Sequence, residues 1–414
     1  MARRVVITGT GLLCPLGGSA AELRAARLEG RDALRPSERF GGDGLPRRPV
    51  GELLFDAAAH LGRDRNLRPL DRISQLVTAA AARALEDAAL SGEALREAEA
   101  GLVLGTMLCG VRTIAEFDRR GLERGPTYVS PFDFANTVIN AAAGQGAIWH
   151  GLAGLNSTLS AGPAAGLQAL AYAADQLRAG RATTLLAGGA DELSAESYAG
   201  FERAGWLCGS AGRECAVPFD ARRDGFAPAE GAALLVLEEA EAAARRGAPA
   251  LAEVLGGGQA YDASRGADVA SAAAATARAI RQALAEAGVE PDGIDTVGAG
   301  ANGGPVTDRA EARALVACLG PRAGTLPVTA VKAGLGEPLG AGGALQAIDA
   351  LASLSDGLLP GVAGLAQLDP EAALSIEPTA RRVAPRRVLL TATGFDGSCA
   401  ALVLGRWEAG GARA

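Results

Sequence analysis

The stretch Gly154–Gly188, GLNSTLSAGPAAGLQALAYAADQLRAGRATTLLAG, predicts a strand, a sharp turn, a helix and a second strand in close succession. Leu155–Leu159 predicts the first strand, and the small residues Ser160-Ala161-Gly162 predict the turn. Pro163–Ala179 predicts the helix, because its apolar residues recur with a 3.6-residue period and a proline at the first helical position loses no hydrogen bond. Thr184–Leu186, followed by Ala-Gly-Gly-Ala, predicts a buried strand.

The turn in this stretch is built like a nucleophile site, but it carries no nucleophile. A cysteine at the start of the helix would be stabilised as a thiolate by the helix dipole. Pro163 occupies that position and offers neither a reactive side chain nor an N–H group. Ser157 and Ser160 lie just ahead of it, yet no histidine, lysine or carboxylate is near in sequence to activate a hydroxyl. We interpret both serines as small polar turn residues.

Length and composition limit the class of protein. A chain of 414 residues exceeds the size at which a single core stops growing, so two domains or a duplicated one are expected. The start MARRVVITG leads directly into a strand, and no run of about 18 apolar residues occurs, which predicts a cytoplasmic protein without a membrane span. Six cysteines without CxxC spacing argue against a zinc site or a disulfide framework. The net charge of −7 gives no support for nucleic-acid binding.

Basic residues other than arginine are scarce in this chain. Lys332 is the single lysine, and His60 and His150 are the only histidines. A lone lysine in so arginine-rich a chain indicates that its position requires lysine. We interpret His60 and His150 as structural residues.

Strands alternate with helices along the chain, which predicts a layered α/β fold. The order of elements is similar in the two halves, so we divide the chain into residues 1–249 and 250–414. Other segments are predicted as follows: a strand at Val5–Thr8 with a loop at Gly9–Gly18, a loop at Pro126–Ala135, a helix at Thr137–Ile148, a hinge at Glu239–Pro249, and strands at Thr296–Ala299 and Arg387–Thr393.

Several motifs give the chain a resemblance to a known family. They are VVITGTGLLCPLG (Val5–Gly17), GLERGPTYVSPFDFANTVINAAAG (Gly121–Gly144), PFDARRDGFAPAEGAALLVLEEA (Pro218–Ala240), TDRAEARAL (Thr307–Leu315), TAVKAGLGEPLGAGGALQA (Thr329–Ala347) and TATGFDGSCAALVLG (Thr391–Gly405). On these motifs the chain resembles, from end to end, the β-ketoacyl-acyl-carrier-protein synthases of fatty-acid and type II polyketide assembly. The resemblance implies the thiolase fold, a duplicated five-layer α/β/α/β/α arrangement with mixed sheets.

The resemblance also implies where condensing residues would stand. An active ketosynthase uses a cysteine to accept the acyl chain and two histidines to assist decarboxylation and stabilise the developing negative charge. The matching positions hold Pro163, Gly300 and Glu337, so no catalytic residue is expected in this chain.

Other residues of the family's active site have counterparts here. Lys332, Asp308 and Glu311 match charged positions behind the active site, and we expect them to form a buried charge network that holds the loops. Phe395 matches the gating phenylalanine beside the nucleophile.

The missing cysteine and histidines make the chain similar to a chain-length factor, the non-condensing partner of an active ketosynthase in a type II polyketide synthase. The resemblance implies a heterodimer joined through Leu155–Leu159, with exchange of a loop at Pro126–Asn136. Acyl chains would arrive on the phosphopantetheine of an acyl carrier protein, and no cofactor of its own is implied. Candidates for the tunnel wall or the interface are Ile114, Phe117, Phe132 and Phe134, although Ile114 is equally well explained as a core residue.

Two other functions stay open on the sequence alone. The chain could decarboxylate malonyl-carrier or transfer acyl groups unaided through other residues, such as Ser160 or the thiol of Cys109. It could also be a homodimeric scaffold that recruits acyl carrier protein.

Known chain-length factors commonly hold glutamine at the cysteine position, so Pro163 leaves open whether the product is aromatic or a polyene.

Overall fold

A computed structural model describes residues 3–42 and 44–408 of the chain. The strands are β1 Val5–Leu13, β2 Arg35–Pro36, β3 Pro49–Val50, β4 Gly101–Thr106, β5 Asn156–Ser160, β6 Thr184–Asp191, β7 Gly231–Glu239, β8 Ala252–Tyr261, β9 Thr296–Ala299, β10 Pro327–Ala330, β11 Leu358–Leu359, β12 Ser375–Ile376, β13 Arg381–Arg382, β14 Arg387–Thr393 and β15 Ser398–Gly405. The α-helices are α1 Ala20–Leu28, α2 Ala57–Leu61, α3 Arg72–Asp87, α4 Gly92–Glu97, α5 Val111–Arg124, α6 Pro131–Phe134, α7 Ala141–His150, α8 Ala165–Arg178, α9 Ala195–Arg203, α10 Ala240–Arg245, α11 Val269–Ala287, α12 Pro305–Leu319 and α13 Gly342–Asp356. Short 3-10 helices lie at Pro126–Tyr128, Gly162–Ala164, Pro291–Gly293, Gly320–Gly324 and Leu339–Ala341. None of the helices within these ranges is both long enough and apolar enough to cross a membrane.

The sheet shows that the fold is a duplication. Its strand order is β12-β10-β9-β14-β15-β8-β1-β7-β6-β4-β5. The first repeat contributes β5-β4-β6-β7-β1 and the second contributes β10-β9-β14-β15-β8, which is the same arrangement of parallel and antiparallel neighbours in the same chain order. The two repeats meet where β1 pairs with β8, at Val6 opposite Glu253 and Ile7 opposite Ala252. The predicted division at residue 249 falls between α10 and β8.

Helices complete five layers. In the middle, α8 contacts β4 and β6 of the first repeat and also β8 and β15 of the second, and α13 packs beside it. Helices α3 and α7 cover the outer face of the first repeat, and α11 and α12 cover the second. Three apolar cores fill the spaces between these layers. The structure therefore confirms the predicted five-layer α/β/α/β/α fold with mixed sheets.

Several predicted boundaries were wrong. The first strand runs to Leu13 instead of Thr8, because its glycines serve close packing rather than a loop: a Cβ at Gly11 would lie 2.1 Å from the carbonyl oxygen of Ala80 in α3. The helix predicted from Thr137 begins only at Ala141. The predicted loop at Pro126–Ala135 contains two helical turns, and the predicted hinge contains α10.

Candidate functional site

Pro163 lies at the start of the central helix, in the turn that joins β5 to α8. It is buried within the 3-10 turn Gly162–Ala164. Gly162 adopts a positive φ of 55°, and a Cβ there would lie 2.1 Å from Oδ2 of Asp396, so the turn is closed tightly against the loop that follows β14. Asp396 is held in turn by the hydroxyl of Ser398, which donates to its Oδ1 at 2.6 Å. The turn therefore stands where a nucleophile would be expected, but it is buried and packed against the loop that carries Asp396.

Glu337 forms a buried ion pair with the single lysine. The ammonium group of Lys332 donates to Oε2 of Glu337 at 2.6 Å, and the exposed fractions of the two side chains are 3% and 0%. Lys332 also donates to the carbonyl oxygen of Gly300 at 2.9 Å. The side-chain amide of Asn302 and the backbone N–H of Leu339 donate to Glu337 at 2.8 and 3.0 Å. The position that resembles the second histidine therefore holds a carboxylate whose hydrogen bonds are all made within the chain.

Two further carboxylates hold the segment 300–303 from the other side. Oε1 of Glu311 accepts hydrogen bonds from the N–H of Gly300 at 2.9 Å and from the hydroxyl of Thr391 at 2.5 Å. Burial raises the pKa of Glu311 to about 7. Asp308 accepts from the N–H groups of Asn302 at 3.0 Å, Gly303 at 3.2 Å and Phe219 at 2.8 Å. Burial raises the pKa of Asp308 as well.

The sequence predicted three members of this charge network and did not predict three others, Glu337, Arg223 and Asp369. The segment 300–303 makes hydrogen bonds with Lys332, Asp308 and Glu311. Within the described chain, no ion pair joins Lys332 directly to either Asp308 or Glu311. The partner of Asp308 is Arg223, at 3.6 Å, which also pairs with Asp369 at 2.8 Å. The opposite charges of Lys332 and Glu337, five residues apart around a glycine-rich turn, were the signal that could have revealed their pairing.

Phe395 is packed among other aromatic rings. Its ring centroid lies 4.7 Å from that of Trp206, 5.0 Å from Phe226 and 5.8 Å from Phe201. Phe395, Phe226 and Phe201 belong to a buried cluster that also contains Leu339, two residues after Glu337, whereas Trp206 is 40% exposed. Phe395 and its neighbours therefore fill the space around the closed turn with side chains.

The four tunnel or interface candidates lie on or near α5. This helix buries none of its residues, and Ile114 and Phe117 are half-buried on it. The rings of Phe117 and Phe134 approach to 5.8 Å between centroids. Phe132 and Phe134 are exposed by 76% and 62%, which is unusual for phenylalanine.

These two phenylalanines belong to a larger group of exposed apolar residues. We define the apolar segment as Leu122, Tyr128, Phe132, Phe134, Val138, Ile139 and Ile148, which include most of the large apolar side chains exposed in the described residues. Beside α7, which carries Ile148, lies β5, the terminal strand of the sheet, hydrogen-bonded to β4 alone in the described residues. An apolar concentration of this size together with an open sheet edge is typical of an interface.

Other candidate reactive groups are not activated. Burial, and after it the nearby Asp191, raises the pKa of Cys109 to about 12, so its thiol stays protonated at neutral pH. His150 is bonded through Nε2 to the carbonyl oxygen of Thr78 at 2.9 Å, and His60 stacks on Phe55. These contacts agree with the interpretation of both histidines as structural.

Comparison with known proteins agrees with this fold. The model of the beta-ketoacyl synthase N-terminal domain matches residues 2–243, and that of the C-terminal domain matches residues 251–366. The tetracenomycin polyketide synthase ketoacyl synthase beta subunit of Streptomyces glaucescens is 36% identical over 97% of this chain and 98% of its own length. The solved structure of the ishigamide ketosynthase/chain length factor aligns with a TM-score of 0.89 and 32% identity, over 99% of this chain and 100% of that one.

A second solved structure is also similar. It is a type II polyketide synthase acyl-carrier protein in complex with its ketosynthase bound to the hexaketide, and it aligns with a TM-score of 0.87 and 26% identity, over 98% of this chain and 100% of that one. Since family models match both repeats, and a relative above 30% identity matches nearly the whole length, this chain belongs to the β-ketoacyl synthase family.

Proposed function

We propose that this protein is a chain-length factor, a non-condensing subunit that pairs with an active ketosynthase. In such a pair the partner would carry out decarboxylative condensation of malonyl units on an acyl carrier protein, and this chain would shape the space into which the product grows. The observation that carries the proposal is the ion pair of Lys332 with Glu337. Glu337, at the position that resembles the second histidine, is held in this buried ion pair. Pro163 and Gly300 leave the other two matching positions without a reactive group.

The apolar segment and the edge of β5 support a partner of the same fold. A strand from a homologous subunit could pair with β5 and continue the sheet, because its free edge presents unpaired N–H and C=O groups. The exposed phenylalanines of α6 would then be buried by the partner. The similarity to a ketoacyl synthase beta subunit and to a ketosynthase/chain length factor structure favours a heterodimer over a homodimer.

A stand-alone decarboxylase or acyltransferase is less well supported. Such an enzyme needs a nucleophile with a base to activate it, or groups that stabilise developing negative charge. Ser160 is exposed without a side-chain hydrogen bond in the described structure, and Cys109 is a buried neutral thiol. Lys332 is already paired with Glu337.

The test is co-expression of this chain, carrying a purification tag, with a ketosynthase that retains the cysteine and both histidines. Carrier protein and malonyl-carrier are then added. We expect a one-to-one complex that elongates chains, and a shift in chain length with Ile114→Trp. Phe134→Asp should reduce recovery of the partner, whereas the matched control Leu54→Asp should not, because Leu54 is 98% exposed outside the apolar segment.

The proposal fails if the chain purifies alone as a homodimer and decarboxylates malonyl-carrier or transfers acyl groups unaided. A homodimer that binds carrier protein without either activity would instead support the scaffold function.

A further inference from the structure

A polar cavity of about 400 Å³ lies beside the inner face of α5. It is lined by Arg68, Leu70, Asp71, Arg72, Gln75, Arg112, Thr113, Glu116, Arg120, Asp133, Asn136 and Glu192. We call it the α5 cavity. Cavities of this size accommodate small organic groups, whereas a single ordered water needs far less space.

Most of the polar lining is already paired within the chain. Arg72 binds Glu230 at 2.7 Å, Arg120 binds Asp133 at 2.7 Å, and the hydroxyl of Thr113 donates to Asp71 at 3.0 Å. These contacts fix the walls and leave their groups unavailable to a ligand.

Among the buried residues of the lining, Glu192 is the exception. Its side chain is buried, with a residue exposure of 2%, and neither of its carboxyl oxygens has a hydrogen-bond partner among the residues that the structure describes. A buried carboxyl group without partners costs stability, so its presence calls for a function. Burial, and after it the charge of Asp71, raises the pKa of Glu192 to about 8, so the group is a neutral acid at pH 7 and can both donate and accept a hydrogen bond.

The charges of the lining indicate a neutral ligand. With Glu192 neutral, the four arginines of the lining are balanced by Asp71, Glu116 and Asp133 together with Glu230, the ion-pair partner of Arg72, so neither an anion nor a cation is favoured overall. A neutral oxygen-bearing group, such as a ketone or a hydroxyl, would satisfy Glu192 without disturbing the existing pairs. Arg112 has no side-chain partner in the described structure and could donate to a second oxygen of the same ligand.

The position of the cavity indicates the direction from which a ligand arrives. Asp133 and Asn136 of the lining alternate in sequence with Phe132, Phe134 and Val138 of the apolar segment. The residue after Glu192, Leu193, packs instead into the aromatic cluster that contains Phe395. The cavity therefore adjoins the surface that we assign to the partner subunit.

From these observations we propose that the α5 cavity binds an oxygen-bearing segment of the growing acyl chain, and that Glu192 selects ketone- or hydroxyl-bearing chains over fully reduced ones. This inference rests on the proposed function and adds a specificity-determining residue to it. Ile114 and Phe117, which are sequence candidates for the tunnel wall or the interface, are not among the residues lining this cavity.

The experiment uses the purified heterodimer with carrier protein and malonyl-carrier, and mass spectrometry of the carrier-bound chains. Glu192→Leu should lower the ratio of long to short chains about fivefold, the factor expected for one hydrogen bond of ordinary net strength. Glu192→Gln should restore most of that ratio, because an amide also donates and accepts. Glu290→Leu, which removes an exposed glutamate in the second repeat, is the matched control.

A second measurement separates selection from a structural role. Because the carboxyl group of Glu192 has no hydrogen-bond partner in the described part of the chain, Glu192→Leu should raise the urea midpoint of unfolding of the heterodimer, whereas loss of a structural residue would lower it.

Three results are distinguishable. If the wild-type complex elongates and Glu192→Leu leaves the chain distribution unchanged, the inference is overturned and the proposed function stands. If Glu192→Leu weakens the complex without changing chain lengths, the cavity seats a side chain of the partner and the inference is again overturned. If the wild-type complex does not elongate at all, the proposed function fails and the inference fails with it.

Discussion

Glu337→Gln is expected to lower the free energy of unfolding by about 3–5 kcal/mol, because it leaves the buried charge of Lys332 without its counter-ion. The amide keeps the size of the side chain, so the loss does not come from a cavity. The carbonyl oxygen of Gly300 remains as an acceptor but supplies no full charge.

The double variant Lys332→Met/Glu337→Gln is expected to recover most of this loss, because it removes both charges from the interior. The four proteins form a double-mutant cycle, which is measured by urea unfolding of each purified chain followed by circular dichroism. We expect a coupling energy above about 2 kcal/mol.

Glu29→Gln is the matched control. It breaks an ion pair with Arg31 of 2.9 Å in which the two side chains are exposed by 62% and 53%. Solvent screens such a pair, so its loss should not change the urea midpoint measurably. The reasoning is refuted if Glu337→Gln costs less than about 1 kcal/mol, or if the two single changes simply add.

Three further outcomes are expected. Pro163→Cys alone should give no decarboxylation of malonyl-carrier, since the positions that the family resemblance assigns to the two histidines hold Gly300 and Glu337; measurable carbon dioxide release would contradict this. Burial, and after it the charge of Asp71, raises the pKa of Glu192 from 4.5 to about 8. The wild type should therefore lose stability relative to Glu192→Gln as the pH rises from about 4.5 to about 8. A difference in urea midpoint that stays constant over this range would disprove the shift. Gly189→Ala should destabilise the protein by about 1–3 kcal/mol, because its Cβ would lie 2.0 Å from the carbonyl oxygen of Gly340. Gly200→Ala in α9, where a Cβ would meet no atom within 4 Å, should stabilise the protein by up to about 1 kcal/mol. Thermal unfolding measures both changes.

Much of the fold could be predicted from local patterns. Strands at Thr296–Ala299 and Arg387–Thr393 were found with the predicted bounds, because short apolar runs between turn residues define them well. The end of β1 could not be predicted, since Gly9 and Gly11 look like loop residues until α3 is known to press against them. The α5 cavity was missed for a similar reason. Nothing in the sequence around Glu192 reveals that its carboxyl group is buried without a partner.

The ion pair of Lys332 and Glu337 also has a consequence for the history of the chain. A mutation that restored histidine at position 337 would remove the counter-ion of Lys332 and would bring no activity, because Pro163 and Gly300 would still be in place. Histidine at position 337 alone would therefore carry a loss of stability with no gain in activity. The buried ion pair therefore opposes a single-step change to histidine at position 337.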